Sequence, residues 1–299
     1  MEAHSVKPLP ANYTVGIIGV GRLGGTLALH FARQHRLLWL VTHTPLPAAL
    51  QSFPAYTTIA AIEQYPDCWF LTVQDSRIAA CVQEIGQHHP EVRGKIFIHC
   101  SGAFDLSLLA PIADLGNFPA VLHPYQMFPF PDPKFLHGIS WSIESHPSLR
   151  PALERLVSDL GGNPVFLNEQ QRQQKPIYHA AAVAAANAVI ASIGLAQQLL
   201  SYCQQPAEQM LPPIVRTAVD TALEQVAAQN PILEQLTGPI VRGDLETLRQ
   251  HLAALQDIPA LRDAYAHLTG CLLHTARHSR LISDQQFRQM LLVVQSALQ

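Results

Sequence analysis

The chain has 299 residues, 48 % of them hydrophobic, which allows a large buried core and favours about two domains. Its 19 Lys and Arg residues are nearly balanced by 22 Asp and Glu residues, so the formal net charge is −3. Without a basic run, the composition offers no electrostatic attraction for nucleic acid or an anionic membrane, and it favours a small, roughly neutral substrate as partner.

Neither the start of the chain nor its cysteines indicate export. The start, MEAHSVKPLPANYT, is polar and lacks the apolar segment of a signal peptide, which favours a cytoplasmic protein. The five cysteines match neither a disulfide framework nor a zinc ribbon, so we expect reduced core residues. The most membrane-like stretch, residues 180–196, is rich in Ala and interrupted by polar residues, so we expect a buried helix.

Short apolar runs alternate with helical stretches between Thr14 and Leu167. This alternation is typical of βαβ units, so we expect an α/β fold with a Rossmann-type, doubly wound, mainly parallel sheet. Helices are predicted after Gly21, Asp75, Asp105 and Pro147. The predicted strands cover residues 15–18, 37–41, 69–73, 96–99, 120–122, 139–143 and 164–167.

The strand pattern stops near Asn168, and long segments rich in Ala, Leu and Gln follow with helical spacing. We expect these helices to break at the sequences QQP, LPP, NP and TGP, because proline disrupts a helix interior. The sequence therefore predicts two domains, an α/β domain over residues 1–167 and an all-α domain over residues 168–299.

A glycine-rich turn follows the first predicted strand. Gly19, Gly21 and Gly24 have the spacing G-x-G-x-x-G between a strand and a helix, which is the context of dinucleotide binding. Gly21 allows the backbone to approach a pyrophosphate, and the helix start supplies N–H groups and a partial positive charge. The alternative is a turn that has lost its ligand. The predicted cofactor loop consists of Gly19, Val20, Gly21, Arg22, Leu23 and Gly24.

The end of the second strand indicates which dinucleotide binds. NAD sites usually carry an acidic residue there, about 20 residues after the glycines. This chain has Thr42, His43 and Thr44 instead, so no carboxylate repels a 2′-phosphate. The site therefore favours NADP, with NAD as the alternative.

The next central strand ends with Thr72, Val73 and Gln74. Ligands of open α/β sheets bind in the crevice at the carboxyl ends of the strands, so these residues are predicted to border the cofactor. Asp75, which follows them, is predicted to be the N-cap of the next helix.

Two further strand ends carry polar side chains. His123 precedes a proline, and its ordinary pKa of about 6.5 suits proton transfer, whereas a structural histidine is the alternative. Ser101 is predicted either to orient a substrate oxygen or to cap its turn. His99 is predicted to be a buried strand residue, and Cys100 has no base partner that would make it a nucleophile.

The first long helix of the second half carries Lys175, His179 and Asn187, which are predicted to share about one helical face and to point towards substrate. The alternative is a helix-packing asparagine with a histidine at the domain edge. His274 and His278 have a spacing that suits a metal ion, but no third ligand is near, so we expect a solvated helix face and no metal.

Six motifs occur in order along the chain. They are GIIGVGRLGGTLA, LTVQDSRI, IHCSGAFDLSLL, LHPYQMF, YHAAAVAAANAV and LTGPIVRGDLETLRQHLAAL. Together they resemble a bacterial family that pairs a Rossmann-like NAD(P)-binding domain with a C-terminal domain of unknown function numbered 2520. That family is similar to the 6-phosphogluconate dehydrogenase-like superfamily, which includes ketopantoate reductase, pyrroline-5-carboxylate reductase, prephenate dehydrogenase and deazaflavin-dependent NADP oxidoreductase.

The resemblance implies an NAD(P)-dependent oxidoreductase that forms a homodimer through its helical domain. It implies that Thr42–Thr44 select NADP and that His123 and Pro124 correspond to the His-Pro pair of prephenate dehydrogenases. Ketopantoate reductases carry an Asn four residues after a catalytic Lys, whereas this chain has His179 four residues after Lys175. The superfamily's catalytic lysine and substrate class are therefore not transferred.

These observations predict an oxidoreductase that exchanges hydride with a small carbonyl, imine or hydroxy-acid substrate. His123 or His179 would exchange the accompanying proton, and Ser101 and Asn187 would orient the reacting group. Lys175 is predicted to contribute to substrate binding. The alternative function is an NADP-binding sensor or regulatory protein without catalysis, which the absence of an unambiguous catalytic Lys or Asp pair favours.

The segment LTGPIVRGD interrupts the helical half. We expect Gly238 and Pro239 to end one helix and Asp244 to N-cap the next. Arg242 is predicted either to pair with Asp244 or to bind a substrate carboxylate in a bidentate manner.

Overall fold

The computed structural model describes residues 9–299, so the first eight residues of the polar start, on which the cytoplasmic prediction depends, lie outside the described residues. The described chain contains an eight-stranded sheet. Its strands are β1 (Val15–Ile18), β2 (Leu37–Val41), β3 (Ala55–Tyr56), β4 (Cys68–Leu71), β5 (Ile96–His99), β6 (Phe118–Pro124), β7 (Ser140–Ser145) and β8 (Asn163–Phe166).

The strand order is β3-β2-β1-β4-β5-β6-β7-β8. All neighbouring strands are parallel except β6 and β7, which are antiparallel. The predicted α/β fold with a mainly parallel sheet is therefore confirmed. Because β1, β2, β4, β5 and β6 run in the same direction, their carboxyl ends meet at one edge of the sheet.

All seven predicted strands are present, and their ends differ from the prediction by at most two residues. The strand that the sequence did not indicate is β3, which has two residues at the edge of the sheet. Such a strand is too short to show the alternation of apolar and polar residues by which strands are predicted.

Six helices accompany the sheet. They are α1 (Arg22–Arg33), α2 (Asp75–His88), α3 (Ala110–Asp114), α4 (Arg150–Asp159), α5 (Glu169–Gln173) and α6 (Lys175–Val183). One apolar core contains residues of α1 and α4, and the other contains residues of α2 and α3. Neighbouring strand residues alternate between them, with Ile17 in the first core and Ile18 in the second. Burial on both faces explains why the strands are almost entirely apolar.

The chain divides into two compact units, Met1–Val183 and Ala184–Gln299. The second unit begins with a π-helical turn at Ala184–Ala188. It continues with α7 (Val189–Tyr202), α8 (Ala207–Ala227), α9 (Pro239–Arg242), α10 (Leu245–Ala254), α11 (Pro259–His278) and α12 (Asp284–Ala297). Its core includes Leu248, Leu273 and Met290. The predicted domain boundary between residues 167 and 168 remains a prediction, although the last strand ends at Phe166.

The prediction that residues 180–196 form a buried helix is correct for the helix and wrong for its burial. These residues are helical, but α7 and the π-helical turn contain no buried residue. Lys175–Tyr202 is a helical run long and apolar enough to cross a membrane by length and composition, and an 18-residue window within it has a mean hydropathy of 1.6. Composition therefore predicted an apolar helix correctly, but it could not predict what covers that helix.

The expected break at LPP is also absent, because Pro212 and Pro213 lie inside α8. Each proline removes one backbone hydrogen bond, which leaves the carbonyls of Glu208 and Gln209 without their usual amide partners. Glu208 and Gln209 are exposed, so water can bind these carbonyls. The breaks at QQP, NP and TGP lie outside the long helices, as predicted.

The LTGPIVRGD segment forms a short helix between two glycines. Gly238 precedes α9 with φ of +92°, and Gly243 ends it in the left-handed region with φ of +69°. The predicted N-cap is confirmed, since the carboxylate of Asp244 accepts hydrogen bonds from the backbone N and Oγ1 of Thr247 at 3.0 and 2.7 Å. Among residues 9–299 no direct ion pair joins Arg242 to Asp244. Hydrogen bonds from Thr247 lower the pKa of Asp244, and the charge of Arg242 acts in the same direction, so the predicted pairing is limited to a longer-range attraction.

We predict that Gly243→Ala destabilises the protein by about 1–3 kcal/mol, since a left-handed conformation is strained for alanine. A Cβ at this position would also lie 2.4 Å from Nε2 of Gln286. Urea unfolding followed by circular dichroism measures the effect. Gly270→Ala is the matched control, because Gly270 lies inside α11 with no other atom within 4 Å of the added carbon. Equal stability of the two variants would contradict this account.

Candidate functional site

A cavity of about 600 Å³ lies at the carboxyl ends of β1, β2 and β4. This is the edge at which open α/β sheets bind ligands. Nine of the residues predicted to contact the cofactor line the cavity. They are Gly19, Val20, Gly21, Thr42, His43, Thr44, Thr72, Val73 and Gln74.

The three glycines of the turn have different surroundings. A Cβ on Gly24 would lie 2.0 Å from the carbonyl oxygen of Gly19 and 2.4 Å from Oγ1 of Thr72, so Gly24 permits close packing of α1 against the sheet. Thr72 Oγ1 donates a hydrogen bond to the Gly19 carbonyl at 2.7 Å, which holds the turn. By contrast, no atom lies within 4 Å of a Cβ built on Gly21.

The open space at Gly21 fits the group that the motif implies. Gly21 lines the cavity and immediately precedes α1, whose first-turn N–H groups suit an anion such as a pyrophosphate. Arg22 and Leu23, also predicted to bind the cofactor, are not among the cavity-lining residues. Arg22 is exposed, and Leu23 packs against the apolar core.

At the end of β2, Thr42 and Thr44 form a local turn. Thr42 Oγ1 accepts a hydrogen bond from the backbone N of Thr44 at 3.1 Å, and the two hydroxyl oxygens are also 3.1 Å apart. His43 lies between them and is exposed at the cavity. This arrangement presents hydroxyl and imidazole groups, and no carboxylate, at the end of the strand.

Sequence reasoning missed the side of the cavity formed by α2 and by the residues after β3. The missed residues with polar side chains are Thr57, Thr58, Arg77, Cys81 and Glu84. Arg77 and Glu84 bring opposite charges and lie seven residues apart on α2, about two helical turns. The spacing of Arg77, Cys81 and Glu84 on a helix that follows a cofactor-bordering strand was a signal that could have found them.

The prediction for Asp75 is wrong, and the reason involves Ser101. Gln74 is the N-cap of α2, and Asp75 is the first helical residue. The Asp75 carboxylate accepts a hydrogen bond from Ser101 Oγ at 2.8 Å. Ser101 Oγ accepts from the backbone N–H groups of Ala103 and Phe104, both at 3.2 Å. The Ser101 hydroxyl thus caps its own turn, the second of its two predicted roles, and we do not assign it to catalysis.

His99 and Cys100 are structural, as the sequence indicated. Nε2 of His99 lies 3.0 Å from the carbonyl oxygen of Asp105, and its Nδ1 accepts from the backbone N of Ser101. Burial lowers the pKa of His99 below its ordinary value. Burial raises the pKa of the Cys100 thiol far above its ordinary value, so the thiolate needed for a nucleophile is disfavoured.

Lys175 forms a buried ion pair with Glu144. Its Nζ lies 3.3 Å from Glu144 Oε2 and also donates to the carbonyl of Phe104. Glu144 Oε1 accepts from the backbone N of Leu106 at 3.2 Å. Because Lys175 is only 2 % exposed, its ammonium group binds the Glu144 carboxylate and the Phe104 carbonyl and is not available to a ligand. We therefore correct the prediction that Lys175 binds substrate and assign it to positioning the loop of residues 101–106.

His123 and His179 converge on Gly102. Their ring centroids are 5.8 Å apart. A Cβ built on Gly102 would lie 2.6 Å from Nε2 of His123 and 2.6 Å from Nδ1 of His179. Only a glycine therefore allows the loop after β5 to lie against both imidazoles. Nδ1 of His179 is buried, with no hydrogen-bond partner among the described residues. This nitrogen and Nε2 of His123 both lie against the glycine.

The environment of His123 favours its neutral form. Burial lowers the pKa of His123 to about 4, and the positive charges of His179 and Lys175 act in the same direction. Tyr178, which sequence reasoning did not single out, places its hydroxyl 3.1 Å from Nδ1 of His123. Nothing in the sequence distinguished Tyr178 from an ordinary helix residue.

Two other predicted residues belong to the second unit. Asn187 lies in the π-helical turn and Arg242 lies in α9, and both are exposed. The predicted common face of Lys175, His179 and Asn187 extends over both units and stays a prediction. The roles of Asn187 and Arg242 in orienting and binding substrate remain predictions. His274 and His278 are exposed on α11, as predicted for a solvated face.

Family comparisons match both halves of the chain. A Rossmann-like domain matches residues 2–124, and the domain of unknown function DUF2520 matches residues 139–271. The chain joins a Rossmann-like domain to a DUF2520 domain. This is the pairing that the ordered motifs resemble. No curated protein sequence matches this chain.

Several solved structures share the fold of this chain. A candidate NADP oxidoreductase from Bacteroides fragilis is 23 % identical, with a TM-score of 0.71 over 87 % of this chain and 98 % of that chain. Plasmodium falciparum pyrroline carboxylate reductase with NADP bound is 13 % identical, with a TM-score of 0.58 over 96 % and 97 % of the two chains. A Streptomyces aurantiacus imine reductase is 14 % identical, with a TM-score of 0.59 over 93 % and 99 %.

We predict that His123 titrates near pH 4, whereas unfolded histidine titrates near 6.5. Between these values the unfolded state binds more protons, so the contribution of His123 to stability falls as the pH drops from 6.5 towards 4. NMR titration of histidine-labelled protein measures the midpoint, and His123→Asn assigns the signal by its loss. A midpoint at the ordinary value would contradict the effect of burial.

Proposed function

We propose that this protein is an NADP-dependent oxidoreductase that exchanges hydride with a small carbonyl, imine or hydroxy-acid substrate. The observation that carries the proposal is the cavity at the strand ends, where the open space over Gly21 meets the start of α1. The similar structures support it, because their names describe NADP oxidoreductases and imine or pyrroline reductases on the same fold.

The cavity supplies the contacts that a dinucleotide phosphate requires. Gly21 and the N–H groups at the start of α1 would bind the pyrophosphate. Thr42, His43 and Thr44 present donors without a carboxylate at the position of the 2′-phosphate. Arg77 adds a guanidinium that would bind a phosphate, while Glu84 adds an opposite charge to the same cavity, so the preference for NADP over NAD rests on Thr42–Thr44.

When bound, the nicotinamide supplies the hydride. The groups that would handle the substrate's reacting atoms are His123 and His179, at the same edge of the sheet as the cavity. A neutral imidazole can donate a hydrogen bond to a carbonyl or imine, and a histidine can exchange the proton that accompanies hydride transfer. The buried pair of Glu144 and Lys175 holds the loop of residues 101–106 beside them.

We predict that the protein binds NADPH more tightly than NADH, as measured by quenching of tryptophan fluorescence. Gly21→Ala fits the fold, since no atom lies within 4 Å of the added carbon, but it blocks the approach of a pyrophosphate. Its affinity for NADPH falls at least about tenfold, the loss expected for one strong phosphate contact. Gly270→Ala is the control that keeps affinity unchanged.

Turnover separates the enzyme from a binding protein. NADPH oxidation is followed with panels of 2-keto acids, aldehydes and cyclic imines, in wild type and His123→Ala. Activity that His123→Ala reduces while NADPH affinity stays constant supports the oxidoreductase. Binding without turnover of any substrate would favour the sensor function, and NADH preference would contradict the assignment of Thr42–Thr44.

We further propose that the protein acts as a homodimer through its helical unit. The exposed side chains of α7 and α8 include large apolar residues, among them Ile190, Ile214, Leu223 and Val226. An apolar surface of this kind favours burial by a partner. A second copy fits better than a membrane, because Lys175 at the start of the apolar helical run is tied to Glu144 by a buried ion pair.

Sedimentation equilibrium is predicted to give twice the chain mass of 32.9 kDa. Replacing Ile214 and Leu223 together with Glu is expected to shift the mass to that of the monomer, because charges are costly in an apolar interface. Leu292→Glu is the matched control, since Leu292 is equally exposed on α12. A monomeric wild type, or co-sedimentation with phosphatidylcholine vesicles, would contradict the dimer.

A further inference from the structure

Tyr178 and His123 form a hydrogen-bonded pair between α6 and the end of β6. The Tyr178 hydroxyl lies 3.1 Å from Nδ1 of His123. The two rings meet edge to face, with centroids 5.5 Å apart and planes inclined at 78°. Because the contact joins positions 55 residues apart in the chain, it depends on the tertiary fold and not on local sequence.

The strand register places Ser142 beside this pair. In the antiparallel ladder of β6 and β7, His123 is paired with Ser142. Burial raises the pKa of Tyr178, so the phenol keeps its proton at neutral pH. The Ser142 hydroxyl donates to the backbone carbonyl of His123 at 3.5 Å, which ties β7 to the strand residue that carries the imidazole.

A neutral imidazole has one nitrogen that carries the proton and one that accepts hydrogen bonds. Among the described residues, Nδ1 of His123 is the hydrogen-bond partner of the Tyr178 hydroxyl. A phenol is a better donor than acceptor, so its hydrogen is directed to Nδ1 of His123. Nδ1 is then the acceptor, and the ring proton resides on Nε2. Nε2 is the nitrogen on the side of Gly102 and His179.

We propose that Tyr178 is a positioning residue that donates its hydroxyl hydrogen to Nδ1 of His123 and thereby keeps the imidazole proton on Nε2. In this arrangement His123 presents an N–H donor to the substrate's carbonyl or imine atom. An Nε2 that already carries its proton cannot act as a base. The consequence for catalysis, which rests on the proposed function, is a division of roles: His123 orients the reacting atom, and His179 exchanges the proton.

The tautomer is measured directly, without cofactor or substrate. Two-dimensional ¹H–¹⁵N multiple-bond spectra of the full chain with labelled histidine distinguish a protonated ring nitrogen from an unprotonated one. The His123 signals are assigned by their loss in His123→Asn. The expected wild-type result at neutral pH is a protonated Nε2 and an unprotonated Nδ1. Protonated Nδ1 would overturn the proposal, whether or not the protein proves to be an oxidoreductase.

Tyr178→Phe removes the hydroxyl and keeps the ring. The expected result is a shift of the His123 ¹⁵N signals towards a mixture of the two tautomers. Tyr125→Phe is the matched control, because the Tyr125 ring packs against Tyr178 with centroids 5.1 Å apart but does not bond His123. An unchanged tautomer in Tyr178→Phe would overturn the proposal, since wild type and variant are compared in the same folded state.

The kinetic experiment separates positioning from a merely structural role. With a substrate that wild type reduces, Tyr178→Phe is expected to lower kcat about tenfold, the effect of one hydrogen bond, while the dissociation constant of NADPH is unchanged. A fall in NADPH affinity with kcat unchanged would contradict positioning of His123. If wild type shows no turnover at all, the proposed function fails, and the NMR result still tests the tautomer.

Discussion

The buried ion pair of Lys175 and Glu144 is the interaction on which the arrangement of the catalytic candidates depends. Both residues are at most 4 % exposed, so either charge without its partner would cost about 3–5 kcal/mol. Lys175 opens α6, and Glu144 belongs to β7. Their hydrogen bonds to Phe104 and Leu106 join the loop after β5 to that helix and that strand. One pair of charges thus sets the distance between the loop and the helix that carries the site's phenol and second imidazole.

The parallel sheet provides the second constraint. Because β1, β4, β5 and β6 share a direction and a register, residues that follow each strand arrive at one edge. The hydrogen bond from Ser101 to Asp75 crosses from the end of β5 to the start of α2, beside the cofactor cavity. This bond links the loop that meets the two histidines to the segment of Thr72–Gln74 that borders the cavity. The cavity and the histidine pair are therefore connected through the Ser101–Asp75 hydrogen bond, and a displacement of one loop would displace the other.

Sequence reasoning succeeded where a structure is determined by local chemistry or by strand direction. The glycine turn, the strand ends and the N-cap at Asp244 depend on residues within a few positions of one another, so their patterns are visible in the chain. It failed where the partner is distant: Lys175 meets Glu144 across 31 positions, and Ser101 meets Asp75 across 26. In both cases the polar side chain was assigned to a ligand because its protein partner could not be predicted. Arg77 was missed for a different reason, since its helical spacing with Cys81 and Glu84 is visible in the chain.

Gly102 shows how backbone shape contributes to this chemistry. Any side chain there would meet both imidazoles at less than van der Waals distance, so the approach of His123 to His179 requires a residue without one. The two rings then have unlike environments, one bonded to Tyr178 and the other turned with Nδ1 against the glycine. Two histidines in unlike environments can divide the tasks of orienting a substrate and exchanging a proton. The proposed division depends on a residue with no functional group, just as the proposed approach of a pyrophosphate depends on the bare backbone of Gly21.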